Sequence, residues 1–361
     1  MPELQQIRLT GFKSLREMDL TLGALNILIG ANGSGKSNFV SLFRLLTEMV
    51  SRNLQLYVSR AGGAGALLHF GRKTTDRMRC ELHMGDCGYY FTLVPTADDG
   101  LAFASEDWYT MDGHSGLLVA DSPRTYPESG LRSSHEPPQP NRETNVLDQM
   151  KSWRVYHFHD TSESARVKQS CDLHDNQFLR TDASNLAAFL YWLKEKHEAH
   201  YGTIVDAVRT VAPFFDDFDL HPSRLNEKVI RLEWRERGSD AYFGPEALSD
   251  GTLRFICLAT LLLQPAPPSL MVIDEPELGL HPAAITLIAG MLKSAAARAQ
   301  VIACTQSVTL VNQYEPADII VVDREEGQSV FKRLTEEQVA GWLDDYALGD
   351  LWEKNIIGGR P

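Results

Sequence analysis

Short apolar runs divided by glycine-rich or charged turns dominate the chain, and their lengths predict strands and medium helices. Leu4–Leu9 and Met18–Leu22 alternate or run apolar on either side of Gly11-Phe12-Lys13-Ser14, which predicts two strands meeting near a turn. Leu25–Ile29 is apolar apart from Asn26 and reads as a buried strand. Over Ser37–Val50 the spacing of Phe39, Val40, Leu42, Phe43 and Leu46 is helical. Residues 78–94 and 101–109, rich in Tyr, Phe, Leu and Val and broken at Gly85, Gly88 and Asp98-Asp99-Gly100, predict an antiparallel sheet. Further on, strands are expected at Trp153–Phe158, Val229–Trp234, Leu270–Ile273, Val301–Cys304 and Ile319–Val322. Helices are expected at Asn185–Tyr201, with Asp182 or Ser184 as cap, and at Leu253–Leu263.

Between Asp112 and about Met150 the pattern collapses. Ser, Pro, Glu, Arg and Gly dominate, and Pro123, Pro127, Pro137, Pro138 and Pro140 argue against a long regular element. The expected organisation is therefore an N-terminal lobe over 1–111, a flexible insertion over 112–150, a helical subdomain over 151–226, a C-terminal lobe over 227–335 and a tail over 336–361.

The strongest local signal is Gly30-Ala31-Asn32-Gly33-Ser34-Gly35-Lys36-Ser37, set between the buried strand and the amphipathic helix. Such a turn aims backbone N–H groups at one point, and the helix N-terminus adds partial positive charge there. Asn32, Gly33, Ser34 and Gly35 would line a triphosphate, Lys36 would reach its β- and γ-phosphates, and the Ser37 hydroxyl would take one position on Mg²⁺.

A second cluster lies near the other end of the chain. Leu270–Ile273 runs into Asp274 and Glu275, where a parallel α/β sheet delivers reactive groups. Asp274 is placed to hold the Mg²⁺ shell, and Glu275 to orient and polarise an attacking water. Leu248-Ser249-Asp250-Gly251-Thr252 opens a helix; Ser249 at its start and Gly251, which permits close approach, suit a second anion site. His157, His159 and Asp160 share alternate positions that invite a metal reading, but no further ligand has useful spacing, and ordinary packing is the other reading.

Composition adds limits. A net charge of −13 excludes a generic nucleic-acid coat, although Arg52, Arg60, Arg72, Lys73, Arg77 and Arg79 form a local basic stretch that leaves DNA as a candidate ligand. Five scattered cysteines fit free, mostly buried thiols in a reducing compartment. Neither a membrane-length apolar run nor a signal-peptide layout is present, so a cytoplasmic protein without membrane association is expected.

Taken in order, these residues resemble the ATP-binding-cassette ATPase heads of the RecF and structural-maintenance-of-chromosomes type. More closely, they resemble small stand-alone bacterial ATPases labelled AAA-family or OLD-like. The Gly11–Ser14 turn, the phosphate loop, Leu248–Thr252, Asp274-Glu275-Pro276-Glu277, Gly279-Leu280-His281-Pro282 and Thr305-Gln306-Ser307 carry the likeness. So do Tyr156–Ser162 and the tail around Leu348–Asn355 and Gly358–Pro361. The resemblance implies an α/β fold: a P-loop NTPase with an ABC-ATPase-like head, in which a mixed core sheet is flanked by helices and joined by an antiparallel β subdomain and a helical insertion. It also implies ATP and Mg²⁺ as cofactors, ATP hydrolysis, and an ATP-dependent head-to-tail homodimer in which Ser249 and Gly251 of one subunit complete the other's site.

Two departures stand out. Thr252 replaces the glutamine common in transporters, and Gln306 stands where many relatives carry the switch histidine. An amide can hydrogen-bond a γ-phosphate or water but carries no proton at neutral pH, which leaves a slow nucleotide-gated scaffold as the alternative to an active ATPase. Too few residues follow Asp323 for a nuclease domain of the OLD type, and the absence of heptads argues against long coiled-coil arms. A separate effector protein is therefore expected, with a nuclease the specific candidate from the defence setting of such ATPases. Its contact surface is expected in 112–150 or around Trp342–Pro361, whose apolar side could equally pack on the chain itself.

Overall fold

The computed structural model describes residues 3–110, 115–119, 125–130 and 142–360. Two compact units divide the chain. The first comprises Met1–Val155, Pro268–Val272 and Gln300–Pro361; the second comprises Tyr156–Pro267 and Ile273–Ala299.

Two six-stranded sheets build the first unit. One is antiparallel, in the order Leu15–Thr21, Leu4–Phe12, Met78–Met84, Cys87–Pro95, Leu101–Thr110, Ser115–Val119. Its strands alternate buried and exposed positions, as Met78, Cys80, Leu82 and Met84 show, because one face packs and the other is wet. The other sheet runs Gln328–Arg333, Ile319–Glu325, Leu25–Ile29, Gln300–Thr305, Leu270–Asp274, Arg154–Tyr156. Leu25–Ile29 is central there, with parallel neighbours on both sides, and all five of its residues are buried. That explains an almost wholly apolar run where an edge or one-sided strand would alternate, and its one polar residue, Asn26, bonds to Gly23 and the Val301 carbonyl. The helix Lys36–Val50 lays Phe39, Val40, Phe43 and Leu46 into one core with Leu28, Ile302, Cys304 and Val322.

The mixed sheet, the flanking helices and the antiparallel subdomain realise the expected fold class. One part of the expected irregular insertion is regular instead: Arg142–Ser152 is a helix, and its Val146, Leu147 and Met150 are buried in the first unit's core. The proline-rich residues 131–141, with 111–114 and 120–124, lie outside the described residues. Glu128, which is described, accepts the backbone N–H groups of Leu54 and Gln55 at 3.0 and 3.1 Å and so caps the helix Leu54–Arg60. In the tail, Leu348, Leu351 and Trp352 are buried within the first unit, whereas Trp342 and Leu343 stay exposed.

The second unit contains the helices Leu186–Lys196, Glu198–Val211, Asp250–Leu263 and Pro282–Ala296 and two small three-stranded sheets. The single helix expected over 185–201 is broken at His197. Neither Asp182 nor Ser184 is the cap residue. Asn185 is, and its wholly buried amide instead ties the preceding loop, accepting from Arg180 N and donating to the carbonyls of Asp175 and Phe178, each at 2.8 Å. Val229–Trp234 likewise splits: Ile230 ends one strand and Trp234 begins another, in different sheets.

All five cysteines are free, and Cys80, Cys87, Cys257 and Cys304 are buried. Burial pushes the Cys257 thiol up to about 12. Among the described residues no helix is long and apolar enough to cross a membrane.

Candidate functional site

The loop at the end of Leu25–Ile29 is shaped by its glycines. Gly33 and Gly35 adopt φ of +79° and +121°, a region costly for any side chain. At Gly35 a Cβ would also collide with Ser329, and at Gly30 with the Val322 carbonyl oxygen and Ser34 Oγ. Gly35 caps the helix Lys36–Val50 without a side-chain hydrogen bond, so its first turn begins with no capping side chain.

Lys36 is only 7% exposed, and its ammonium donates to the carbonyls of Gly30 and Ala31, the latter at 3.1 Å. Ser34 Oγ is buried without a hydrogen-bond partner. The outer flank is pinned by the Ile319–Arg333 hairpin: Ser329 Oγ donates to Ser34 O at 2.5 Å, and Arg324 Nη1 donates to Gly33 O at 3.4 Å. Ser329 also meets Ser14 Oγ at 2.7 Å, which accepts from Asn38 Nδ2 at 2.7 Å, so the Gly11–Ser14 turn is tied to the same loop. Lys13 in that turn has φ of +46°, and burial first, then the nearby Arg44 charge, lowers its pKa.

Gln306 belongs to the same unit. Thr305 pairs with Ile29 in the parallel register, so Gln306 and Gly30 leave the sheet at one edge. Ser307 then opens a short helix, with Oγ accepting from Leu310 N at 3.2 Å.

The second unit holds the carboxylates and the serine turn. Asp274 ends its strand and Glu275 takes φ of +46°, a left-handed conformation that costs a non-glycine residue about 1–3 kcal/mol. His159 donates from Nε2 to the Asp274 carbonyl at 3.0 Å, which fixes its tautomer, and stacks on His157 with centroids 3.9 Å apart. His157 Nδ1 lies 4.0 Å from Asp274 Oδ2. The third member of that trio turns away, since Asp160 accepts from the N–H and hydroxyl of Ser162. Among the described residues no group of three or more His, Cys, Asp or Glu is arranged to hold a metal ion.

Ser249 caps the helix Asp250–Leu263, its Oγ accepting from Thr252 N at 3.1 Å and lying 2.8 Å from the Thr252 hydroxyl. The variant threonine therefore completes the cap. Gly251 is needed for space, because a Cβ there would lie 2.5 Å from Gly279 O. Arg254, one turn on, binds the turn beyond Glu275 and the 158–161 segment together. It donates to Leu278 O at 3.2 Å, Phe158 O at 3.3 Å, His159 O at 2.9 Å and Thr161 Oγ1 at 3.3 Å. Arg254 and Ser329 are absent from the residues the sequence singles out. Nothing local marks them, since their partners lie far away in the chain.

The basic stretch is partly neutralised: Arg72 pairs with Asp99 and Arg77 with Asp76. Arg77, Arg79, Arg16 and His69 line a cavity of about 580 Å³ in the first unit, with Asp76 and Glu326 also on its wall.

This arrangement, a central sheet whose middle strand feeds a glycine loop, flanking helices and an antiparallel subdomain, is that of an ABC-ATPase-like head. Solved structures agree on the fold. The chain is similar to the Smc head bound to the C-terminal winged-helix domain of ScpA, at 17% identity over 94% of this chain and 100% of that one, with a TM-score of 0.57. It is similar also to a Pyrococcus furiosus Smc head bound to the C-terminal domain of ScpA (15% identity, 96% and 99% covered, TM-score 0.53). A Pyrococcus yayanosii Smc head with coiled coil and joint gives 14% identity, 96% and 99% coverage and a TM-score of 0.51.

By sequence, the chain belongs to the family described as "AAA domain, putative AbiEii toxin, Type IV TA system", which matches residues 125–312, more than half of its length. That stretch contains Ser249, Asp274, Glu275 and Gln306 and leaves the Gly30–Ser37 loop outside, so loop and family are independent indications. No curated protein matches the sequence.

Proposed function

We propose that this chain is an ATPase whose nucleotide state is read by a separate effector protein. The observation that carries the reading is the loop itself. Gly30 and Gly35 sit where a Cβ would collide, Lys36 is buried across the loop's carbonyls, and the hydroxyl of Ser34, only 4% exposed, has no protein partner. An orphaned buried donor inside such a turn fits a phosphate oxygen.

In this reading Asn32, Gly33, Ser34 and Gly35 wrap the β-phosphate through backbone N–H groups, and Lys36 exchanges its carbonyl partners for the β- and γ-phosphates. Ser37 and Asp274 would hold Mg²⁺, which neutralises charge on the transferring phosphoryl group. Glu275 takes the proton of the attacking water, and Gln306 orients that water through its amide. Ser249 and Gly251 complete the site of a second, head-to-tail copy.

Membership of a family described as a putative toxin of a type IV toxin–antitoxin system supports a partnered role in bacterial defence. Two of the Smc heads it is similar to are bound to ScpA domains, which supports a head that acts through another protein. We place the chain among small stand-alone, OLD-like ATPases of the cytoplasm, with a nuclease as the effector and DNA as a ligand of the Arg16–Arg77–Arg79 cavity. Gln306 favours a second reading, a slow nucleotide-gated scaffold, which differs only in turnover.

Calorimetry with MgATP tests the core of this. Wild-type protein should bind, and Lys36→Ala should show no measurable binding while its circular dichroism is unchanged. Equal binding by the two proteins would remove the loop from the site.

A further inference from the structure

The chain returns to the phosphate loop at the tail glycines Gly358-Gly359, to which the nucleotide chemistry assigns no role. Residues 355–360 follow the helix Leu348–Glu353 and bring Gly359 up to Gly30, within the first unit. Trp352, wholly buried, donates from its indole N–H to Gly359 O. Gly359 N–H in turn donates to Asp323 Oδ1 at 2.9 Å. Asp323 sits two residues past Val321, which pairs with Ile29, the last strand residue before the loop.

Space there is closed. A Cβ on Gly359 would lie 2.8 Å from Val321 Cγ1 and 3.4 Å from Gly30 Cα, and one on Gly358 would lie 2.8 Å from Asp323 Oδ2. Both glycines hold left-handed φ, +81° and +63°, a costly pair of conformations in succession for residues with side chains. Burial of Trp352 alone would not require them. What they achieve is approach: backbone lies against Gly30, a loop residue where a Cβ would already meet Val322 O and Ser34 Oγ. The Gly30 carbonyl is in turn a seat of the Lys36 ammonium.

We propose that Gly358-Gly359 is a latch that positions the phosphate loop for nucleoside triphosphate, so that latch docking and nucleotide binding strengthen one another. The latch rests on the loop being the nucleotide site proposed above. Coupling of this kind is reciprocal, so each event must protect the other to the same degree.

Both directions can be read. Hydrogen–deuterium exchange on the unmutated full chain should show the amides of 355–360 slowed about tenfold by MgATP, with no such slowing in Lys36→Ala. Gly359→Val should weaken ATP binding about tenfold and raise KM by a similar factor, with kcat at saturating ATP within about twofold of wild type. Gly359→Ala should recover part of the loss, whereas a merely structural tail would lower Tm equally with and without ATP. A wild-type chain that binds no ATP overturns the loop assignment and the latch together. Wild-type affinity in Gly359→Val, or amides at 355–360 indifferent to ATP in a chain that binds it, overturns the latch alone.

Discussion

The glycine loop of the first unit and the carboxylate turn of the second are built on opposite principles. In the loop, backbone does the work: φ values open only to glycine, N–H groups of a helix start, and a lysine folded onto carbonyls of its own segment. In the carboxylate turn, side chains from distant segments fix the geometry, with Arg254 on Leu278 and His159, and His159 on Asp274. Glu275 is held in a left-handed conformation that it would not choose alone. A backbone cradle is pre-organised and tolerates little substitution at its glycines. A turn held by side chains can be loosened in steps, which makes it the natural place to adjust a rate rather than an affinity.

The largest expected effect follows from the loop's intolerance. Gly35→Val puts a side chain onto Ser329 and forces valine to φ near +121°. Overpacking of this kind costs about 1–3 kcal/mol before the dihedral strain is counted. ATP binding should be lost in calorimetry and Tm lowered. Retained binding would show that the loop can re-form around a Cβ, and the contrast between the two regions would fall.

The second effect is smaller in structure and large in rate. Glu275→Gln keeps the turn's shape and removes the proton acceptor, so turnover should fall by about two orders of magnitude or more with ATP affinity kept. An ATP-held dimer should accumulate, visible by light scattering. Wild-type turnover in this variant would exclude Glu275 as the base and favour the scaffold reading that Gln306 suggests.

What the sequence makes legible follows the same contrast. Leu25–Ile29, the Gly30–Ser37 loop and the start of the helix at Lys36 are local, so letters in order specify strand, turn and helix. The Arg254 bonds span about 95 residues to Phe158, His159 and Thr161 and leave no periodicity to read. The helix break at His197 is invisible for another reason: apolar spacing continues across it from Leu193 to Tyr201, both buried. At 142–152 the prolines upstream mask a helix that contains none, and only burial of Val146, Leu147 and Met150 reveals it. Gly358-Gly359 is legible only as part of a resembling tail; its place beside Gly30 is a long-range contact that leaves no local pattern.

The smallest expected effect tests the stepwise side of the contrast. Arg254→Met removes a half-buried guanidinium that serves the carbonyls of Phe158, His159 and Leu278 and the Thr161 hydroxyl. Gly279 lies so close that a Cβ there would meet Arg254 Nη1 at 2.5 Å; methionine, which reaches about as far as Nε and has no donors, keeps the packing of the aliphatic stem alone. What is lost is hydrogen bonding to backbone acceptors, with a cost of about 1–3 kcal/mol when they stay buried. Urea unfolding should show a lower midpoint of that size without a change in slope. The turn bearing Glu275 should then be less well held, so turnover should fall about tenfold while ATP affinity, set by the loop, stays within about twofold. Loss of affinity in step with turnover would mean that the two regions are one rigid cradle, not a fixed seat and an adjustable turn.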